Sequence, residues 1–541
     1  MTSSRSTDVL IVGAGLGGIL SLRKMTAELG FEAIVIDKAP GVGGTWYWNR
    51  YPGAMSDTQA HVYQLPFEND LYQINDFESR YVQAPQIREY LEKAVDFWNL
   101  RDRIALSTEL MSSTFDEENE EWVSETSRGT IRSRFLITAL GLLSQKNVPD
   151  IPGIEKFAGQ IVHTADWPAD LELAGKKVGV IGNGSTGVQL MTQLAKSVGH
   201  LTSFQRTPQY SVPAGNRQYT TEELHAFKAN PQALWDRMEQ SAIGFDVDEV
   251  TRKYADFSPE EADAIFEAAW RKGGNFTFTH ETFADVLGDP EANDAAARFI
   301  KRKIEEIVVD PETARKLLPT EIFARRPICD SGYFEIFNQP NVTLVRTSEN
   351  PIREFTPDGV ITEDGALHDL DVLVLATGFD AIEGSYRSLD IRGRNGVALN
   401  EHWADGAAAQ FGVSVSGFPN MFMVLGPLGP FVNLPMAIGL QVRFITRALQ
   451  NLTEHGGSSI ELTAEAEEEW LQRCLDLLEG SLFLETSSWI FGANIPGKKK
   501  SRTASYFTGA LREYIALMNE ETASGFSSYR IAVPSVALRH S

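Results

Sequence analysis

Twice in this 541-residue chain an apolar strand pattern runs into G-x-G-x-x-G and on into a helical pattern, and a charged, Ala-rich stretch follows the second copy. Those observations predict an α/β fold, with two Rossmann-like dinucleotide-binding domains and a helical insertion. The first copy opens with Asp8-Val9-Leu10-Ile11-Val12, turns at Gly13-Ala14-Gly15-Leu16-Gly17-Gly18, and enters a helical pattern closed by Gly30. Ala33-Ile34-Val35-Ile36 then stops at Asp37, completing a βαβ unit of about 30 residues. The second copy runs from Lys177–Ile181 through Gly182-Asn183-Gly184-Ser185-Thr186-Gly187 and a helix to the strand pattern Leu201–Gln205. Between Glu222 and Leu318 three helix starts are written out: Ser258-Pro259-Glu260-Glu261 reads as a cap, a first-position proline and a capping-box Glu, while Asp289-Pro290 and Asp310-Pro311 repeat the Asp-Pro opening. Strand patterns return at Val342–Val345 and at Asp371–Leu375, the latter leading into Ala376-Thr377-Gly378. The acidic run Glu117–Glu121 reads as a solvated loop between strands.

Composition narrows the function classes. An apolar share of 43% excludes global disorder, and a formal charge of -24 works against nucleic acid or an anionic bilayer as a partner. The only two cysteines, Cys329 and Cys474, can build neither a disulfide framework nor a metal cluster, and they form no C-x-x-C pair. No metal site is expected, and a reducing, cytoplasmic compartment fits. The apolar stretch Val9–Leu20 is too short and too glycine-rich for a membrane span, and the start of the chain does not read as a signal peptide.

Glycine-rich turns also occur for purely conformational reasons, so each motif needs its context. Here each follows a strand and opens a helix, where free backbone N–H groups and the helix dipole can hold a pyrophosphate; side chains at Gly13, Gly15, Gly182 or Gly184 would obstruct that approach. Asp37 lies 19 positions after Gly18, and Arg206 lies the same 19 after Gly187. A carboxylate at that point accepts ribose hydroxyls, whereas a guanidinium pairs with a 2′-phosphate. The first site therefore suits FAD and the second NADPH, with Thr207 beside Arg206.

Gly41 to Gly53 is a glycine and aromatic cluster without helical or strand period, reading as a loop that lines something flat. Trp46 and Trp48 would supply apolar walls for an isoalloxazine ring. Asp57 follows shortly. Phe157-Ala158-Gly159-Gln160-Ile161-Val162-His163-Thr164-Ala165-Asp166-Trp167-Pro168 then resembles the F-x-G-x-x-x-H-x-x-x-W-P fingerprint of the Baeyer-Villiger monooxygenases, placed between the glycine motifs as in that family. The resemblance extends over most of the chain, through Gly43-Gly44-Thr45-Trp46, Arg50 to Gly53, Arg326-Pro327 and Trp489, and is strongest to the single-component, cyclohexanone monooxygenase-like group.

That resemblance implies an NADPH- and O2-dependent flavoprotein inserting one oxygen atom next to a ketone carbonyl, giving an ester or lactone through a C4a-peroxyflavin. The implied domains are 1–141 and 383–541 for FAD, the latter with a mobile C-terminal loop, 142–213 and 326–382 for NADPH, and 214–325 for the helical insertion. The implied catalytic residues are Arg326, Asp57, His163 and Trp167. Arg326 would keep the peroxide anionic and Asp57 would orient that guanidinium. His163 would be a domain-junction residue serving cofactor-driven rearrangement, in a loop set by Pro168. Cofactor contacts are implied for Gly13, Gly15, Gly18, Asp37, Thr45, Trp46, Asp57 and Tyr63 toward FAD, and for Gly182, Gly184, Ser185, Thr186, Gly187, Arg206, Thr207, Arg325 and Trp489 toward NADPH. Arg325 stands where relatives often have Lys, and either cation suits a phosphate. Pro427 to Asn433 and residues 482–500 are expected to line a pocket for a small neutral ketone, in a monomer or weak homo-oligomer.

Three other classes share parts of the pattern. Flavin monooxygenases that oxygenate nitrogen or sulfur carry a similar fingerprint, usually with another residue in place of Trp167. A nucleotide-binding protein without turnover would lack the Arg326 and Asp57 charges. A disulfide reductase would need an adjacent cysteine pair.

Overall fold

The computed structural model describes residues 5–486 and 506–533. Its two largest sheets are built around the two predicted βαβ units. In the first, the parallel strands Gly129–Thr138, Arg5–Val12, Ala33–Ile36 and Ile104–Ala105 lie side by side in that order. The antiparallel strands Glu121–Thr126 and Leu110–Asp116 extend it, Asp390–Arg392 closes that edge, and Met421–Met423 pairs with Gly129–Thr138. Strands from both halves of the chain thus share one sheet. The acidic run of 117–120 lies in the turn between two of them, with the Glu117 carboxylate accepting from the Asn395 backbone N–H at 2.8 Å.

The second sheet is wholly parallel, in the order Val342–Arg346, His200–Gln205, Lys177–Ile181, Val372–Leu375, Gln160–His163. Its inner strand Val372–Leu375 is a continuous apolar run, buried at every residue because both faces are covered. The fingerprint segment departs from the expected loop here. Gln160–His163 is the edge strand, and a single 3-10 turn, Thr164–Asp166, carries the chain on to Trp167. Pro168 does end regular structure, but only after the strand has added its hydrogen bonds to Val372–Leu375.

The insertion is helical as its start signals predict. Ser258 caps Pro259–Lys272 in a capping box with Glu261, Asp289 caps Pro290–Ile307, and Asp310 caps Pro311–Leu317. The long helix Leu434–Glu454 packs on Leu16–Ala27, the helix opened by the first glycine turn, and buries most of its length in the largest apolar core. Among the described residues no helix is long and apolar enough to cross a membrane.

Candidate active site

Both glycine turns end their strands at one cavity of about 1060 Å³, whose wall includes Gly13, Gly15, Gly182 and Gly184. The helices that follow, Leu16–Ala27 and Ser185–Leu194, have Gly15 and Gly184 at their caps and no side chain bonded to their first N–H groups. Those donors are left for an anion, as a pyrophosphate requires. The motif glycines divide by task. A Cβ on Gly187 would sit 2.2 Å from the carbonyl oxygen of Gly182, so that glycine lets the helix close on the turn. A Cβ on Gly184 would meet nothing within 4 Å, because that position faces the cavity. Gly18 and Gly187 do not themselves line it.

Both strand-end charges, Asp37 and Arg206, reach the cavity wall. The Asp37 carboxylate accepts from the backbone N–H of Ala14 at 2.6 Å and of Ala39 at 2.8 Å, which ties it to the first turn and leaves lone pairs for ribose hydroxyls. Burial pushes its pKa up and the two N–H groups pull it back. At the second turn Ser185, Thr186, Arg206, Thr207 and Arg325 share the cavity wall. Asn183 donates to Gln205 Oε1 and to the Thr207 carbonyl, each at 3.0 Å, holding the strand end that presents Arg206. Arg325 pairs with Glu321 at 2.5 Å and donates to Gln209 Oε1 at 3.2 Å. Its pKa is lowered, first by burial and also by the nearby Arg206 charge, against the pull of Glu321. Two guanidiniums held this close suit a doubly charged phosphate.

Where the two cradles meet, Arg326 and Asp57 form an ion pair through Nη2 and Oδ2. The Arg326 guanidinium also lies over the Phe276 ring, 5.8 Å from its centre. Trp46 donates its indole N–H to Tyr63 Oη at 3.1 Å with the rings edge to face. Burial drives the Tyr63 phenol well above its ordinary pKa, so it stays neutral beside the pair. Thr45, Trp46, Asp57, Tyr63 and Arg326 all face the cavity, and Thr45–Trp48 forms one helical turn within the expected loop.

His163 and Trp167 do not line this cavity. His163 Nδ1 accepts from the Ala165 backbone N–H at 3.1 Å, and burial followed by the Lys146 charge lowers its pKa, so the ring is neutral. Of the expected pocket loops, Phe431 and Val432 reach the wall; Leu482 and residues 484–486 do not, and residues 487–500, with Trp489, lie outside the described residues. The wall contains side chains that sequence reasoning missed: Ile243, Phe245, Phe276 and His280 from the insertion, and Tyr506. Phe245 and Phe276 stack with centres 3.9 Å apart. The signal available was the alternating aromatic pattern after Gly273-Gly274, read as part of an anonymous helical stretch. Both cysteines are free and buried, with burial pushing Cys474 up to about 12, and among the described residues no group of acidic, His or Cys side chains is arranged for a metal.

Residues 10–253 match the pyridine nucleotide-disulphide oxidoreductase family model. The chain is 45% identical over 515 residues to cyclohexanone 1,2-monooxygenase of Acinetobacter sp, covering 95% of this chain and 94% of that protein. It is 46% identical over 523 residues to phenazine N-monooxygenase PhzNO1 of Lysobacter antibioticus, covering 96% of each. The crystal structure of cyclohexanone monooxygenase from Rhodococcus sp. Phi1 bound to NADP+ superposes with a TM-score of 0.96 at 48% identity, over 98% of this chain and 100% of that one.

Proposed function

This chain belongs to the Baeyer-Villiger monooxygenases related to cyclohexanone monooxygenase, and from that premise we propose how its residues divide the work. FAD and NADPH are its cofactors, and its reaction inserts one oxygen atom beside a ketone carbonyl to give an ester or lactone. When bound, FAD supplies the redox centre that takes hydride from NADPH and activates dioxygen. Gly13, Gly15 and the first N–H groups of Leu16–Ala27 hold its pyrophosphate, Asp37 takes the ribose, and Thr45, Trp46 and Tyr63 wall the ring. Gly182, Gly184, Ser185 and Thr186 hold the second pyrophosphate, and Arg206, Thr207 and Arg325 the 2′-phosphate. Residues 1–141 and 383–541 serve FAD, 142–213 and 326–382 serve NADPH, and 214–325 is the insertion. His163 and Trp167 act at the domain junction, away from the reacting atoms.

The observation that carries this reading is the Arg326–Asp57 pair at the meeting of the two cradles. A guanidinium keeps its charge at any working pH, so it can stabilise negative charge on activated oxygen and on the attacked carbonyl without giving up a proton. Asp57 holds that guanidinium in place. The aromatic walls favour a small neutral ketone. We take the protein as a cytoplasmic monomer or weak homo-oligomer. The test is to purify it, record the flavin spectrum, and follow NADPH loss and product mass with a panel of cyclic and linear ketones under air. Ester or lactone in step with NADPH loss is expected; a preparation that takes up no flavin, or that oxygenates no ketone, overturns the reading.

One observation favours a second reading, oxygenation of a ring nitrogen: the 46% identity to a phenazine N-monooxygenase. Competition between cyclohexanone and phenazine separates the two, and the ketone product is expected to dominate.

A further inference from the structure

Asn275 is fully buried, with 0% of its surface exposed, yet it is the first residue of Asn275–His280, the short helix of the insertion that also brings Phe276 and His280 to the cavity. Its placement is over-determined. Arg80, itself buried, donates to the carbonyls of Lys272 at 2.7 Å and Gly273 at 3.0 Å, capping the preceding helix. Gly273 and Gly274 then turn at φ +73° and +100°, and the Gly274 N–H is bonded to the Pro213 carbonyl at 2.8 Å.

The amide orientation follows from its partners. Oδ1 accepts from the Phe276 backbone N–H at 2.9 Å, so Nδ2 is the donor. Its two hydrogens point to Asp57 Oδ2 at 3.4 Å and to the Pro327 carbonyl at 3.2 Å. One side chain therefore touches the carboxylate of the ion pair and the backbone next to its guanidinium, while the following residue lays its ring against Arg326.

We propose that Asn275 is a positioning residue: its amide clamps Asp57 to the backbone beside Arg326 and so holds the ion pair in register with the cavity. The inference rests on the role given to that pair above. It makes the insertion part of the reaction machinery, because an amide from the insertion must be in place before Asp57 and Arg326 are aligned.

The test compares wild type, Asn275→Ala and Asn275→Asp as holoenzymes. In Asn275→Ala bound flavin and the KM for NADPH stay as in wild type. Ketone oxygenation falls roughly ten- to hundredfold at every pH, the factor a hydrogen bond to a charged group carries, and the NADPH consumed appears as hydrogen peroxide. Asn275→Asp keeps the acceptor for Phe276 and sets a second carboxylate beside Asp57. Two carboxylates in one place retain a proton to higher pH, and the protonated acid can donate the lost bond. Its oxygenation is expected near wild type at about pH 5.5 and to collapse by about pH 8.

Melting temperature gives a readout free of turnover. The shared proton has a raised pKa in the folded state, so stability is kept at low pH and lost as pH rises through that value. The gap to wild type widens from about pH 5.5 to 8 for Asn275→Asp and stays constant for Asn275→Ala. Wild-type coupling in Asn275→Ala overturns the proposal, as does a wild-type pH profile in Asn275→Asp, or an Asn275→Asp protein unable to hold flavin at low pH. If wild type itself converts no ketone, the Baeyer-Villiger reading fails, while the melting-temperature gap still decides whether Asn275 clamps Asp57.

Discussion

Replacing Arg206 with alanine tests the electrostatic division between the two cradles. Its guanidinium sits exposed on the cavity wall at the end of His200–Gln205, close enough to Arg325 to depress that residue's pKa. A hydrogen bond between charged partners contributes about 1.5–3 kcal/mol. Solvent exposure places Arg206 at the lower end, and its loss also relieves the repulsion on Arg325, which keeps part of the phosphate contact. About 1.5 kcal/mol, or roughly a tenfold fall in kcat/KM for NADPH, is therefore expected. NADH has no 2′-phosphate, so its kcat/KM should change less than about twofold. Steady-state rates with both coenzymes at low ionic strength measure the ratio, and the difference should shrink at roughly 0.5 M salt, where exposed charges are screened. Loss of Arg206 and Arg325 together should exceed the sum of the single losses, since each covers for the other. An NADPH-to-NADH ratio that does not move would refute the assignment of this strand end to a 2′-phosphate.

Arg326→Ala should leave flavin bound and NADPH consumed while ketone oxygenation falls by at least about two orders of magnitude; product mass against NADPH loss reads it directly. Gly184→Ala and Gly187→Ala should part company. The first adds a Cβ with open space around it and should fold while losing NADPH affinity in a titration; the second drives a Cβ to 2.2 Å from a carbonyl oxygen and should lower the melting temperature. His280 should report on acid stability. Burial lowers its pKa from 6.5 to about 4, so its contribution is present above about pH 6.5 and is lost as pH falls toward 4. His280→Gln should flatten that limb of the melting curve by up to about 3 kcal/mol, and an unchanged acid limb would exclude His280 as its source.

Much of this molecule is legible in short stretches. Ser258, Asp289 and Asp310 announce their helices because a cap is a bond between residues two or three positions apart. The two glycine turns at the cavity are legible for the same reason, since turn, helix start and strand-end charge fall within one βαβ unit. The fingerprint misled in one respect: Pro168 and the segment's place between the two glycine motifs argue for a loop, yet Gln160–His163 pairs with Val372–Leu375, more than 200 residues away, and no local signal states that.

The Asp57–Arg326 ion pair lies beyond such reading altogether. Asp57 and Arg326 are 269 positions apart, and only the family resemblance joined them beforehand. Phe245 and Phe276 read as part of a helical stretch because an aromatic looks alike in sequence whether it packs a core or walls a site, and the partners of Asn275 lie far from it in the chain. Local bonds and side-chain charge select the two nucleotide cradles from residues close in the chain. Which polar side chains face one another across the cavity depends on packing two sheets and an inserted helical layer together, where the free energy belongs to long-range burial and no short segment carries it.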